Sequence, residues 1–187
     1  MYIRLYCLII LAIAFTYTAD KYKLLPQKKT VSTTYTYLLS IKDDLAKRKI
    51  KWSNEDLKTL AHAIDKYSEK RGLDKRIVLG IINKESRWRR YAIGQAGERS
   101  LMQVYWAKNK DKLAEEGIYS EDDLMDIDNN INGGTRILHD FLKQNDGRIV
   151  TSLWCYNGRG GRVTRNVSDI LAYQDGVLTY AYNINLR

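Results

Sequence analysis

From about residue 52 onward, apolar residues recur at helical spacing, and the polar and glycine-rich punctuation between the runs divides the chain into short helices. Ser53, with Asp56 three residues on, has the spacing of a capping box, and Leu57, Leu60, Ala61, Ile64 and Tyr67 follow on one face until Gly72. Asp74 can cap a second run in which Ile77, Val78, Ile81 and Ile82 make one stripe. Glu85 falls four residues beyond Ile81, so a carboxylate joins the face that should turn toward the core. Residues 86–99, with Gly94 and Gly97 among polar residues, read as a loop, and a helical pattern is expected to resume over residues 101–107. Ser120 and Asp123 repeat the capping-box spacing. Asn129 or Asn130 is expected to start a helix that presents Ile131, Gly134, Leu138, Phe141 and Leu142, ended by Gly147. Residues 148–156 predict a further short helix, closed by the glycine-rich turn 157–161, and a last helix is expected from near Ser168.

Upstream the pattern changes. Residues 20–50 are rich in Lys, Thr and Tyr, with little helical period before Leu38, and residues 20–51 read as a flexible basic arm ahead of a compact domain at 52–187. Arg4 precedes an apolar run, residues 5–15, that is too short for a comfortable membrane span. Residues 1–19 are therefore expected to be a signal peptide or N-terminal membrane anchor, which exports the protein to the periplasm or cell envelope. Ala19 is the expected cleavage position, although Tyr17 is bulkier than a signal peptidase prefers.

The length of 187 residues suits one ordinary domain with short appendages, and a single proline with few turn clusters favours a mainly α fold. A net charge of +9 attracts polyanions, among them nucleic acid, anionic lipid and the carboxylates and phosphates of bacterial wall. Apart from Lys47, Arg48, Lys49, Lys51 and Arg87, Arg89, Arg90, the cations are scattered, so nucleic acid is not the expected partner. With Cys7 in the export segment, Cys155 stands alone and no disulfide framework is available to the mature chain. His62 or His139 could serve Cys155 as base, but its apolar neighbours Ile149, Val150, Leu153 and Trp154 make it a small packed residue instead. Asp126-x-Asp128-x-Asn130 opens like a calcium loop, yet Ile131 stands where glycine is needed and Ile137 where the terminal glutamate belongs. It reads as a helix cap, and no metal or cofactor is expected.

Taken alone, Glu85 has two readings. It can be a helix-end carboxylate paired with Arg87, Arg89 or Arg90, or an acid whose partial burial keeps it protonated and able to donate to a leaving oxygen. Four motifs in one order weigh for the second: Glu85-Ser86-x-Trp88, Gly97-x-x-Ser100-Leu101-Met102-Gln103, Asn130-Ile131-x-x-Gly134 and Tyr156-Asn157. Over residues 77–163 the chain thereby resembles the soluble-type lytic transglycosylases, a family with a lysozyme-like, mostly helical fold that is also similar to goose-type lysozymes.

The resemblance implies that Glu85 is the single general acid/base, at the end of its helix, and that Ser86, Met102, Gln103, Tyr156 and Asn157 form the substrate-binding set. Ser86 would support the loop beside Glu85, Met102 and Gln103 would line the cleft against sugar N-acetyl groups, Tyr156 would approach Glu85, and Asn157 would hold that corner. The sequence departs from the family pattern at Ser100, where glycine is usual, at Cys155, where alanine is common, and at Gly158, which follows Asn157 directly. The implied substrate is the glycan strand of peptidoglycan. In that family the acid protonates the glycosidic oxygen after N-acetylmuramic acid, the acetamido group stabilises C1, and the glutamate then deprotonates the C6 hydroxyl to close a 1,6-anhydro ring, and the resemblance implies the same here. One assigned carboxylate suits such substrate assistance, whereas ordinary glycosidases need two. A lysozyme-type hydrolase is the alternative, with Glu98, Asp111, Glu115 or Glu116 as second carboxylate, and a non-catalytic wall-binding assembly protein is another. A secretion, conjugation or phage envelope-crossing assembly would be a fitting partner.

Overall fold

The computed structural model describes residues 33–158 and 167–186, and among these the chain is helical, with no strand and two isolated bridges, Ile93 to Arg99 and Arg99 to Val104. The helices are α1 (Thr34–Lys47), α2 (Asn54–Arg71), α3 (Lys75–Glu85), α4 (Trp106–Ala114), α5 (Ile127–Gln144), α6 (Ile149–Tyr156) and α7 (Val167–Asn183), with a 3₁₀ turn at Asp123–Met125. Residues 1–19, with the export call made on them, and the part of the glycine-rich turn beyond residue 158 lie outside the described residues. None of the described helices is long and apolar enough to cross a membrane.

Local chemistry sets the boundaries of α2 and α3 as the capping pattern requires. Ser53 Oγ accepts the Asp56 N–H at 3.0 Å, acids occupy the first turn of α2 and Lys70 and Arg71 its last, and Gly72 closes it at φ +63°. Asp74 Oδ1 takes the Arg76 N–H at 2.8 Å and caps α3, which starts at the next residue, Lys75. Ile77, Val78, Leu79, Ile81 and Ile82 of α3 are all buried in one continuous core.

Three expectations are corrected. From Thr34 on, the expected arm is a helix packed on α2: Leu38 and Leu45 are fully or nearly fully buried, and Tyr37 meets Tyr180 of α7 hydroxyl to hydroxyl at 2.6 Å. The stretch at 101–107 is not one helix. Positive φ at Ser100 (+62°) and Gln103 (+48°) folds residues 100–104 into a tight turn, so Leu101 and Met102 are buried by tertiary contacts, and α4 starts only at Trp106. Finally, α5 begins at Ile127 under an Asp126 cap, whose Oδ1 accepts the Asn129 N–H at 3.1 Å, while Asn130 lies inside the helix with its side chain buried. The Ser120–Asp123 box does form, with Ser120 Oγ accepting from Asp123 N and Asp123 Oδ2 from Ser120 N, but it opens a single 3₁₀ turn.

The central packing is pairwise: α3 lies against α7, α2 against α5, α1 against α2 and α6 against α5. Gly80 sets the closeness of the first pair, because a Cβ there would stand 2.6 Å from the backbone oxygen of Val177. Backbone cannot swing aside as a side-chain tip can. Gly80→Ala is therefore expected to cost about 1–3 kcal/mol of stability by overpacking, read as a lower denaturant midpoint at an unchanged slope.

Candidate functional site

Glu85 is the last residue of α3, and the chain leaves the helix at once. Ser86 N–H and Oγ both turn back to the Ile82 carbonyl, at 3.2 and 3.0 Å, and Arg87 and Trp88 then take left-handed φ of +52° and +69°. Two consecutive non-glycine residues in that region are strained, and the burial of Trp88 holds them there. The Trp88 ring is inside the core, its Nε1 donates to Asn83 Oδ1 at 3.0 Å, and its carbonyl accepts Trp52 Nε1 at 3.1 Å. The turn leaves Glu85 half-buried at the open end of α3.

Opposite it lies a groove of about 970 Å³ lined by Glu85, by Gly94, Glu98 and Gln103 of the following loop, by Tyr105, Lys108 and Asn109 of the α4 region, and by Ile137, Phe141, Cys155, Tyr156 and Asn157 of α5 and α6. Gln103 is held from within its own loop, its Nε2 donating to Ser100 O at 2.8 Å and Ala92 O at 3.2 Å. Ser100 explains its own oddity: at φ +62° glycine would be easier, but its N–H donates to Ala92 O at 2.7 Å and its Oγ to Arg90 O at 2.6 Å.

The turn is pinned from beneath by Asn130, which is fully buried and saturated. Its Oδ1 accepts the Met102 N–H at 2.8 Å, and its Nδ2 donates to Arg99 O at 2.9 Å and Leu124 O at 3.0 Å. Gly134, one turn along α5, leaves the room that the Met102 side chain fills, since a Cβ there would stand 2.8 Å from Met102 Cβ. Met102 O in turn accepts the Tyr156 hydroxyl at 2.9 Å, which ties the loop to the end of α6. Burial, and secondly the charge of nearby Glu85, push the Tyr156 phenol well above its ordinary pKa. It stays a neutral donor.

Of the expected site residues, Glu85, Gln103, Tyr156 and Asn157 thus meet at one groove. Ser86 and Met102 do not line it: Ser86 is buried beneath the helix end, and Met102 is a core side chain whose backbone does the linking. The residue that sequence reasoning missed is Tyr173 of α7, almost fully buried, whose hydroxyl donates to Glu85 Oε1 at 2.6 Å. It lies 88 residues away in sequence. The only signal for it was the helical spacing of Tyr173, Val177, Tyr180, Ala181 and Ile184. The Cys155 sulfur takes the Asn145 amide at 3.8 Å, His62 is exposed on α2, and His139 sits by Asp140, so no cysteine nucleophile is assembled among the described residues. In the calcium-like segment Asp126 caps α5, Asp128 accepts the Tyr67 hydroxyl, and Asn130 is saturated.

The transglycosylase SLT domain family matches residues 62–174, more than half of the chain, and the chain belongs to that family. Its fold is similar to that of an inactive glutamate-to-glutamine mutant of the lytic transglycosylase Slt from Pseudomonas aeruginosa, at 20% identity and a TM-score of 0.52 over 80% of this chain and 28% of that one. It is also similar to the 70 kDa soluble lytic transglycosylase of Escherichia coli, at 18% identity and 0.54, over 83% and 28%. At these identities the likeness is one of fold, and this chain spans little more than a quarter of either protein.

The Asn130 clamp yields a prediction. Asn130→Ala leaves the buried Met102 N–H and the Leu124 carbonyl without partners, while Arg99 O keeps the Val104 N–H at 3.1 Å, so a stability loss of about 3 kcal/mol is expected in denaturant titration. Wild-type stability would show that the turn above α5 is held by something else.

Proposed function

We propose that this protein cleaves peptidoglycan glycan strands as a lytic transglycosylase, with Glu85 as the single general acid/base. The observation that carries the reading is the placement of Glu85 at the open end of α3, facing the groove and hydrogen-bonded by the Tyr173 hydroxyl at 2.6 Å. Membership of the transglycosylase SLT family supports it.

In this reading a β-1,4-linked strand lies along the groove with the bond after N-acetylmuramic acid over Glu85. The protonated carboxyl gives its proton to the glycosidic oxygen as the bond to C1 breaks. The substrate's own acetamido oxygen stabilises C1 in place of a second carboxylate. Glu85, now ionised, takes the proton of the C6 hydroxyl, and O6 closes on C1. The acid is restored and no water is consumed. Tyr173 suits this cycle because a hydroxyl can stay hydrogen-bonded to a carboxyl group in both protonation states, holding one rotamer throughout. Gln103, Tyr156 and Asn157 would contact the sugars, and Ser86 and Met102 would act indirectly, through the helix end and the turn.

One observation favours the hydrolytic alternative enough to shape the test. Of the four other acids, Glu98 alone lines the groove, its Oε2 accepting the Ala96 N–H at 3.1 Å. Asp111 is exposed on α4, and Glu115 and Glu116 are engaged with Arg136, Glu116 also with Lys70 and Arg71. Muropeptides released from purified sacculi are expected to end in 1,6-anhydro-N-acetylmuramic acid, with masses unchanged by borohydride. Glu85→Gln, which keeps the shape but has no acid proton, is expected to lower release by two orders of magnitude or more while the protein stays folded. A two-hydrogen gain on reduction means water attacked C1, and Glu98 then becomes the base to test.

The substrate lies outside the cytoplasm, and the reading therefore includes export directed by residues 1–19. A reporter active only after export, fused behind residues 1–20, is expected to be switched on, and silence despite good expression would remove the export step.

A further inference from the structure

The wall of the groove formed by the α4 region has a chemistry that the proposed reaction does not use. Tyr105, the N-cap of α4, and Lys108 and Asn109, three and four residues on, share one helical face and all line the groove. The Asn109 amide reaches back to Tyr105 O at 2.8 Å, which stiffens this first turn. Tyr105 keeps part of its ring exposed to the groove, and Lys108 is exposed beside it. Among the described residues that line the groove, Lys108 is the only cation, against two acids, Glu85 and Glu98. Of the other cations near α4, Lys112 pairs with Asp140 and Arg136 with Glu115, Glu116 and Asp140, and Lys110 does not line the groove.

A cation on the groove wall attracts an anionic strand, and a neutral strand gains little from it. We propose that Lys108 is a specificity-determining residue that binds a carboxylate borne by the muramic sugar, so that the α4 wall selects acidic strands over neutral N-acetylglucosamine polymers. Tyr105 supplies an aromatic face for the same sugar. The carboxylate has two sources: the lactyl group, free where the strand carries no peptide, or the acidic groups of an attached stem peptide. This inference rests on the glycan-strand reading but not on the chemistry of turnover.

The test uses binding to the full-length Glu85→Gln protein, which separates recognition from cleavage. Three ligands are titrated: a peptide-bearing glycan tetrasaccharide, the same strand stripped of peptide, and neutral tetra-N-acetylchitotetraose. Adding Lys108→Gln is expected to weaken binding of an acidic strand about fivefold, the size of a partly exposed ion pair, with no change for the neutral one. Lys108→Arg should restore the affinity, and the difference should shrink as salt is raised. A loss confined to the peptide-bearing strand assigns the stem-peptide carboxylate, and a loss with the stripped strand assigns the lactyl group. Equal losses for acidic and neutral strands, or none for any, overturn the proposal. If the Lys108 effect is present but wild-type protein forms no anhydro ends, the reaction assignment falls and the recognition site stands.

Discussion

The side chain of Asn130 is the point on which the site depends. A carboxamide can donate twice and accept, and this one is used on all sides: it receives the Met102 N–H and donates to Arg99 O and Leu124 O from inside the core. Met102 and Arg99 belong to or flank a turn whose own conformation is unfavourable, with Ser100 and Gln103 at positive φ, and Leu124 to the 3₁₀ turn beside it. Buried hydrogen bonds are costly to leave unmade, so a saturated amide under a strained turn fixes its shape more firmly than apolar packing alone would. Gln103 inherits that position directly, and Tyr156, at the end of α6, is tied to it through Met102 O.

The second constraint is the close approach of α3 and α7. Gly80 and the Val177 carbonyl are near enough that no side chain fits between them, and Tyr173 lies one turn before Val177 on the same helix. That spacing brings its hydroxyl to Glu85 at the far end of α3. The acid is therefore oriented by a helix that follows it by most of the domain, while the strained pair Arg87 and Trp88 ends α3 just beyond it. Strain collected on both sides of a functional group, and held by burial of Trp88 below, is how a fold keeps a polar site open instead of collapsing it.

The charges of the domain divide between structure and surface. Glu116 is surrounded by Lys70, Arg71 and Arg136, and although its partial burial pushes the other way, these cations hold its pKa down at about 2. That cluster braces α2 against α5 and leaves none of its members for the groove. Lys108, by contrast, is exposed on the groove wall, where a cation contributes most to encounter and selection of an acidic polymer.

Local rules carried much of this in the sequence itself. Ser53, Gly72 and Asp74 mark helix ends because a cap is a contact between near neighbours, and the stripe through Ile81 puts Glu85 on an inward face because helical period is local too. The mainly α class and the family followed from those patterns and from four motifs in order. What distance in sequence hides was decided only by packing. The helix at Thr34–Lys47 shows little period before Leu38 and is held by burial of Leu38 and Leu45. Met102 looked like a cleft residue and is core, since nothing local tells which side of a turn faces Gly134. Tyr173 could not be joined to Glu85 by any motif, because that hydrogen bond joins residues 88 apart in sequence and exists only where α3 and α7 are allowed, by a missing side chain at Gly80, to touch.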